Sequence, residues 1–207
     1  MIVQKVGGYC FKLSAGPVTV AINPPTAKSK HKVNKFGSDI VLVSVRHNDW
    51  EGVETATHGE KEPFVAIGPG DYEVGDVTIS GFATPTEYEG PLMDYGNTAY
   101  IIDMDGIRVL ALGALSTPKL PAELREEIDN IGILLMPVGE GALSPKDAHE
   151  LVVAMEPHII IPYGIKSDAD VAAYLKVSGE KGVDVGEKLT VRTKEVLEKD
   201  GEVVLLK

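Results

Sequence analysis

Ile40-Val41-Leu42-Val43-Ser44-Val45-Arg46-His47-Asn48-Asp49-Trp50 is the stretch on which the reading of this chain turns. Four apolar residues in succession, Ile40 to Val43, read as a buried strand. The polar residues after Ser44 form a loop at its end, the place where α/β-type scaffolds mount their chemistry. His47 and Asp49 stand two residues apart on that loop. Either Asp49 caps the backbone while His47 fills a polar gap, or the two act together as donors. Trp50, the only tryptophan, closes the run.

Outward from this loop, the first half of the chain reads as strands. Short apolar runs at Tyr9–Leu13, Val18–Ile22, Phe64–Ile67, Val77–Phe82, Ala99–Ile102 and Val109–Leu112 are separated by Gly, Pro, Asp and Asn, residues that punctuate strands. Asp105-Gly106 supplies the positive φ angles of a tight hairpin between Ile101 and Ile107. The second half alternates helix and strand. Leu120, Leu124 and Ile128 share a helical face entered through Pro121 and stopped by Gly132. Ser144-Pro145-Lys146-Asp147 opens a better-marked helix, with Ala148, Leu151, Val152 and Met155 on one face. A third spans about Asp168 to Val177. The strands Ile133–Met136, Ile159–Ile161, Leu189–Val191 and Val203–Leu206 complete the pattern. Strands first and alternation later, with no boundary between them, predict two packed sheets with helices outside.

The chain has 207 residues, and its 43% hydrophobic and 25% charged fractions are those of a globular protein with a sizeable core. A single cysteine, Cys10, rules out an internal disulfide framework and fits a reducing cytoplasm. The N-terminus lacks a basic region followed by an apolar stretch, so no signal peptide is expected. No apolar run approaches the length that spans a bilayer. Acidic residues outnumber basic ones 31 to 20, a net charge of −11. That field makes nucleic acid and membrane poor partners.

Several segments together carry a family likeness. Val20-Ala21-Ile22-Asn23-Pro24, Ile67-Gly68-Pro69-Gly70-Asp71-Tyr72-Glu73-Val74, Gly96-Asn97-Thr98-Ala99-Tyr100, Leu135-Met136-Pro137-Val138-Gly139 and Glu156-Pro157-His158-Ile159-Ile160-Ile161-Pro162 follow one another as in the metallo-β-lactamase superfamily. The chain resembles its small branch related to sugar-phosphate lactonases and zinc-dependent hydrolases. The likeness implies an α/β (α+β) fold, a four-layer αββα sandwich of two mixed β-sheets with helices on both outer sides, and residues 1–207 as a single domain.

The same likeness locates the family's metal positions, and most hold other residues here. Against the signature Thr/Ser-His-x-His-x-Asp-His, Val45 and Trp50 replace the first and last histidines, while His47 and Asp49 remain. The frame of a His-Asp pair holds Thr86-Glu87. Gly113-Ala114 stands for Gly-Asp, Tyr163-Gly164 for the x-His step, and Asn23 for the Asp of Asp-Pro. Zinc needs three or four N, S or O donors. The resemblance therefore implies a former-site cleft made of Asn23, His47, Asp49, Trp50, Glu87, Ala114, Tyr163 and Gly164, with no metal cofactor and no catalytic residue identified. A non-catalytic binding or assembly module follows, taking a protein partner, a second copy or a small molecule in the cleft. The alternative is a metal-dependent hydrolase with a reduced site of His47, Asp49 and Glu87, a donor set suited to zinc, iron or manganese.

The remaining candidates read as structural. His31 lies in the basic segment Lys28-Ser29-Lys30-His31-Lys32, expected to be a solvated loop and otherwise a receiver of an acidic partner or phosphate. His58 is expected at the surface, His149 on the outward side of its helix, and His158 in a local hydrogen bond. Cys10, between Tyr9 and Phe11, is expected in the core. Trp50 is expected to fill the cavity left by the missing donors, its N–H bonded to a nearby acceptor or water. Otherwise it stacks on a planar ligand or a partner's side chain.

Overall fold

The computed structural model describes residues 1–59 and 62–207. One sheet contains β1 (Ile2–Gly7), β2 (Cys10–Ala15), β3 (Val18–Ile22), β4 (Ile40–Val43), β5 (Phe64–Ile67) and β13 (Lys188–Thr190), in the order β13-β1-β2-β3-β4-β5. The other contains β6 (Gly70–Val74), β7 (Val77–Thr86), β8 (Met93–Met104), β9 (Ile107–Ala111), β10 (Ile133–Val138), β11 (Ile159–Gly164), β12 (Val183–Gly186) and β14 (Glu202–Leu206), in the order β12-β14-β11-β10-β9-β8-β7-β6. Both are mixed. β3, β4 and β5 pair in parallel beside an antiparallel β1–β2–β3 meander. β9, β10, β11 and β14 pair in parallel beside antiparallel β6–β9.

The unbroken apolar runs have a direct cause. Successive strand residues face opposite sides, and the central strands are covered on both. In β4, Ile40 and Leu42 enter the core between the sheets, while Val41 and Val43 face the outer side with Ala56. In β10, Ile133 and Leu135 point inward, and Leu134, Met136 and Val138 meet the helical layer.

That layer is made by α1 (Ala122–Glu127), α2 (Pro145–Met155) and α3 (Asp168–Ser178), which place Leu124, Ala148, Leu151, Met155 and Tyr174 on the eight-stranded sheet. The capping expected for α2 is present: Ser144 Oγ accepts from the Asp147 N–H at 3.1 Å, and Pro145 occupies the first turn. Glu156 ends the helix in the left-handed conformation, φ 47°. The Asp105-Gly106 hairpin also forms, with φ 56° and 70° and Met104 opposite Ile107.

The two-sheet sandwich is as the sequence predicts, but its two outer layers are unequal. Over the six-stranded sheet the cover is a 3-10 turn at Val53–Thr55 and the loop bearing Phe36, both packed on Val41 and Val43. Segments with helical periodicity occur only in the second half of the sequence, and α1–α3 lie on the other side. The sequence reading also passes over β1, β6, β12 and the short α4 (Thr193–Leu197), whose residues are largely half-exposed and carry no apolar run. Among the described residues no helix is long and apolar enough to cross a membrane.

Candidate functional site

The turns after β3, β4, β9 and β11 and the end of β7 meet at one end of the sandwich, and hydrogen bonds tie them together. Asn23, just past β3, takes φ 53° and accepts from the Ser44 N–H at 2.8 Å. Asn tolerates this left-handed conformation better than most residues. Asn97 in β8 is the central knot. Its Nδ2 donates to Thr84 Oγ1 (2.6 Å) and the Leu112 carbonyl (2.9 Å), and its Oδ1 accepts from the Ala114 N–H (2.8 Å). Thr86 Oγ1 donates to the Ala114 carbonyl at 2.7 Å. Gly113 has φ +61°, and a Cβ there would lie 2.3 Å from Asn97 Oδ1.

Inside this frame the space is filled by rings. Trp50 is fully buried and stacks on Tyr9, centroids 4.4 Å apart and planes at 22°. Tyr88 meets the indole edge-on at 5.2 Å and 81°. Tyr163 is buried against Phe11, and its hydroxyl donates to the Gly113 carbonyl at 2.5 Å. Tyr9 donates to the Ile165 carbonyl. Burial raises the pKa of Tyr9, Tyr88 and Tyr163, so all three stay neutral phenols. Val45 and Ala114 belong to the same apolar cluster. The indole is buried as expected, and its N–H has no protein acceptor in hydrogen-bonding geometry among the described residues. At Gly164 a Cβ would lie 1.9 Å from the Ser167 carbonyl oxygen, so the turn after β11 admits no side chain there.

The polar residues lie on top of this cluster. Asp49, 3% exposed, accepts from Ser29 Oγ through one oxygen and from the Tyr88 hydroxyl (2.9 Å) through the other. His31 Nε2 and His47 Nδ1 each lie 3.9 Å from its Oδ2, and Lys30 Nζ lies 3.8 Å away. Burial pushes the Asp49 carboxyl up, but the bonds from Ser29 and Tyr88 and the two imidazoles outweigh it, leaving its pKa below the ordinary value. His47 Nδ1 accepts from the Asp49 N–H at 3.2 Å, and its Nε2 lies 3.1 Å from Glu89 Oε2. A cleft of about 360 Å³ remains above, lined by Tyr9, Lys30, Glu87, Tyr88, Glu89 and Glu140 among others.

The structure brings together most of the residues that the sequence singles out. His47, Asp49, Trp50 and Tyr163 surround Tyr9 and Tyr88, and Asn23 and Ala114 lie in the frame beside them. Glu87 is exposed at the rim of the cleft, and the carboxylate within reach of His47 is Glu89. The segment Lys28–Lys32, expected as a solvated loop, is anchored instead: Ser29 is buried on Asp49, and His31 is partly buried, its ring 4.8 Å from Tyr9. No local pattern announces Ser29, His31, Tyr88 or Glu89, because their partners are distant in sequence. Asn97 was legible only as part of Gly96-Asn97-Thr98. Cys10 is buried, its thiol pKa pushed up by that burial, whereas His158 Nδ1 lies 2.8 Å from the Lys199 carbonyl, a distant partner in sequence rather than the local one expected. His149 differs from expectation in one respect: its Nδ1 is buried without a partner among the described residues.

Comparison with known proteins places this geometry. The profile of the family described as "Beta-lactamase superfamily domain" matches residues 2–164. A solved structure from Thermotoga maritima, whose name presents it as a Zn-dependent hydrolase of the metallo-beta-lactamase superfamily, superposes with a TM-score of 0.77 at 27% identity, covering 99% of this chain and 97% of that one. A Parabacteroides distasonis protein, named as a metal-dependent hydrolase, gives 0.65 at 14% identity over 99% and 91%. A metallo-beta-lactamase fold protein of Bacillus subtilis gives 0.60 at 11% over 100% and 96%. The last two show likeness of fold alone. No curated protein matches the chain.

Proposed function

The chain belongs to the beta-lactamase superfamily, and within it we propose a non-catalytic binding module whose metal centre has been replaced by an aromatic core. The observation that carries this reading is the Trp50–Tyr9 stack, closed by Tyr88 and Tyr163, in the space that the family's donors would surround. The donors that remain do not fit a catalytic zinc, which needs three protein ligands and an open position. Both Asp49 oxygens already accept hydrogen bonds, and one His47 nitrogen accepts from the backbone. Glu87 stands exposed, and Gly164 has no room for a histidine.

Trp50 and Tyr163 fill the former cleft rather than line an open pocket. This favours binding of a protein partner or a second copy over binding of a small molecule at that point. The reduced-site alternative of His47, Asp49 and Glu87 lacks its third donor, since Glu89 takes the place beside His47.

The test is metal analysis of the purified protein, with melting curves before and after chelation and assays on lactone, lactam and phosphodiester probes. The expected result is substoichiometric zinc, iron and manganese, an unchanged melting temperature and background turnover. Stoichiometric metal that disappears in His47→Ala, or turnover that disappears with it, would overturn the proposal.

A further inference from the structure

Away from the aromatic core, the β13 edge of the six-stranded sheet has a charge opposite to that of the whole chain. Lys188 pairs with Gln4, and Gln4 with Lys12, so the three lie in one row across β13, β1 and β2. The loop before β4 folds over this face, with the Phe36 ring 5.7 Å beneath Lys12 Nζ. Between them runs a groove of about 430 Å³, lined by Lys5, Lys12, Lys32, Lys35 and Lys207 and, among the described residues, a single acid, Glu187.

Among the described residues only Lys207 is neutralised there, by Asp184 at 2.5 Å. Lys32 Nζ donates to the Ala27 and Ser29 carbonyls at 3.3 and 2.9 Å, which positions its charge without cancelling it. The stack on Phe36 likewise leaves Lys12 charged. Among the described residues no carboxylate pairs with Lys5, Lys12, Lys32 or Lys35, although the chain has 31 acidic residues to offer. Like charges gathered in one concavity repel each other unless an anion completes them.

We propose that this groove binds a compact anion carrying two or more phosphate groups. Ammonium groups act on phosphate as point charges and need no planar partner. The concave shape suits a small molecule better than the flat face of an acidic protein. The net charge of −11 opposes an extended polyanion such as nucleic acid, whose charge continues beyond the groove. The proposal does not depend on the reading of the aromatic core.

The experiment is calorimetric titration of the full chain with tripolyphosphate at low ionic strength, with melting curves at the same concentrations. Binding should raise the melting temperature. Lys12→Glu with Lys35→Glu should weaken affinity about tenfold or more, the loss of two ammonium contacts. Lys119→Glu, at an exposed lysine elsewhere, should leave it unchanged. Should the double variant fold poorly by circular dichroism, Lys35→Gln alone should still weaken binding relative to Lys119→Glu. Absence of heat and of thermal shift at millimolar tripolyphosphate would overturn the proposal. So would equal losses in the groove and control variants, or tighter binding of duplex DNA or an acidic peptide.

Discussion

The frame around Asn97 and the cluster around Trp50 share one end of the sandwich and are held by opposite means. The frame is held by buried polar groups with particular partners, Asn97 with Thr84, Leu112 and Ala114, and Asn23 with the Ser44 N–H, while the buried Ser44 hydroxyl has none among the described residues. The cluster consists of rings in contact, with one indole N–H lacking an acceptor in hydrogen-bonding geometry among the described residues. A polar frame tolerates little change, because removing one member strands the others in a dry interior. A ring cluster accepts any side chain of suitable volume. On the proposed reading, this difference accounts for turns like those of the superfamily enclosing side chains other than metal donors.

The comparison can be tested by breaking each side in turn. Asn97→Ala should have the larger effect, since it leaves the Ala114 N–H without its acceptor and takes one partner each from the Thr84 hydroxyl and the Leu112 carbonyl. One stranded N–H at roughly 1–3 kcal/mol and two lost bonds at roughly 0.5–1.5 kcal/mol each put the loss at about 3–5 kcal/mol. Denaturant unfolding measures it, and a loss under about 1 kcal/mol would mean that the frame is no stronger than the filling. Trp50→His follows, at about 2–4 kcal/mol, in the range for truncating a large buried side chain. It should bring no metal binding, because Val45, Ala114 and Gly164 would still offer no donor. A stability equal to wild type, or zinc protection against melting, would break the distinction between frame and filling.

The smallest expected effect is on pH dependence. Burial lowers the His31 pKa, Lys30 and Lys5 add to this, and Asp49 opposes it. An imidazole held neutral by folding gains its proton first in the unfolded chain, so its stabilisation is complete above about pH 6.5 and declines as the pH falls below that. The lowered Asp49 pKa acts in the same sense but further down, beginning below about pH 4. His31→Gln should therefore flatten the upper part of a stability–pH curve and leave the lower part in place. Unfolding curves taken across that range should separate the two. An unchanged upper limb would mean that His31 titrates alike in both states.

How much of this was legible depends on the distance over which each signal acts. The run Ile40–Val43, the Asp105-Gly106 turn and the Ser144 cap act within a few residues, and each appears as expected. Trp50 was legible because a large ring stood in a frame that fits an imidazole. The missed residues all depend on long-range partners: Tyr9 reaches Ile165, Tyr88 reaches Asp49, and Ser29 reaches Asp49 from another loop. Glu89 rather than Glu87 faces His47, because Thr86 ends β7 and Glu89 turns the chain with φ 49°. A residue count along the sequence does not resolve such a turn. The thin outer layer over β4 was equally hard to foresee, since a 3-10 turn leaves little periodicity.

The connection from β3 to β4 makes contacts on two sides, and this bears on how the sequence can drift. Ser29 and His31 cover Asp49, and a few residues on, Lys32, Lys35 and Phe36 line the opposite groove. The β1–β2 turn presses on the same segment: a Cβ on Gly8 would lie 2.6 Å from the His31 ring, and one on Gly7 3.1 Å from Val33. Surface loops ordinarily absorb insertions and deletions at little cost. Here a single added or deleted residue would put one contact set out of phase with the other. Among the chain's descendants, the length of this loop should therefore vary less than its composition.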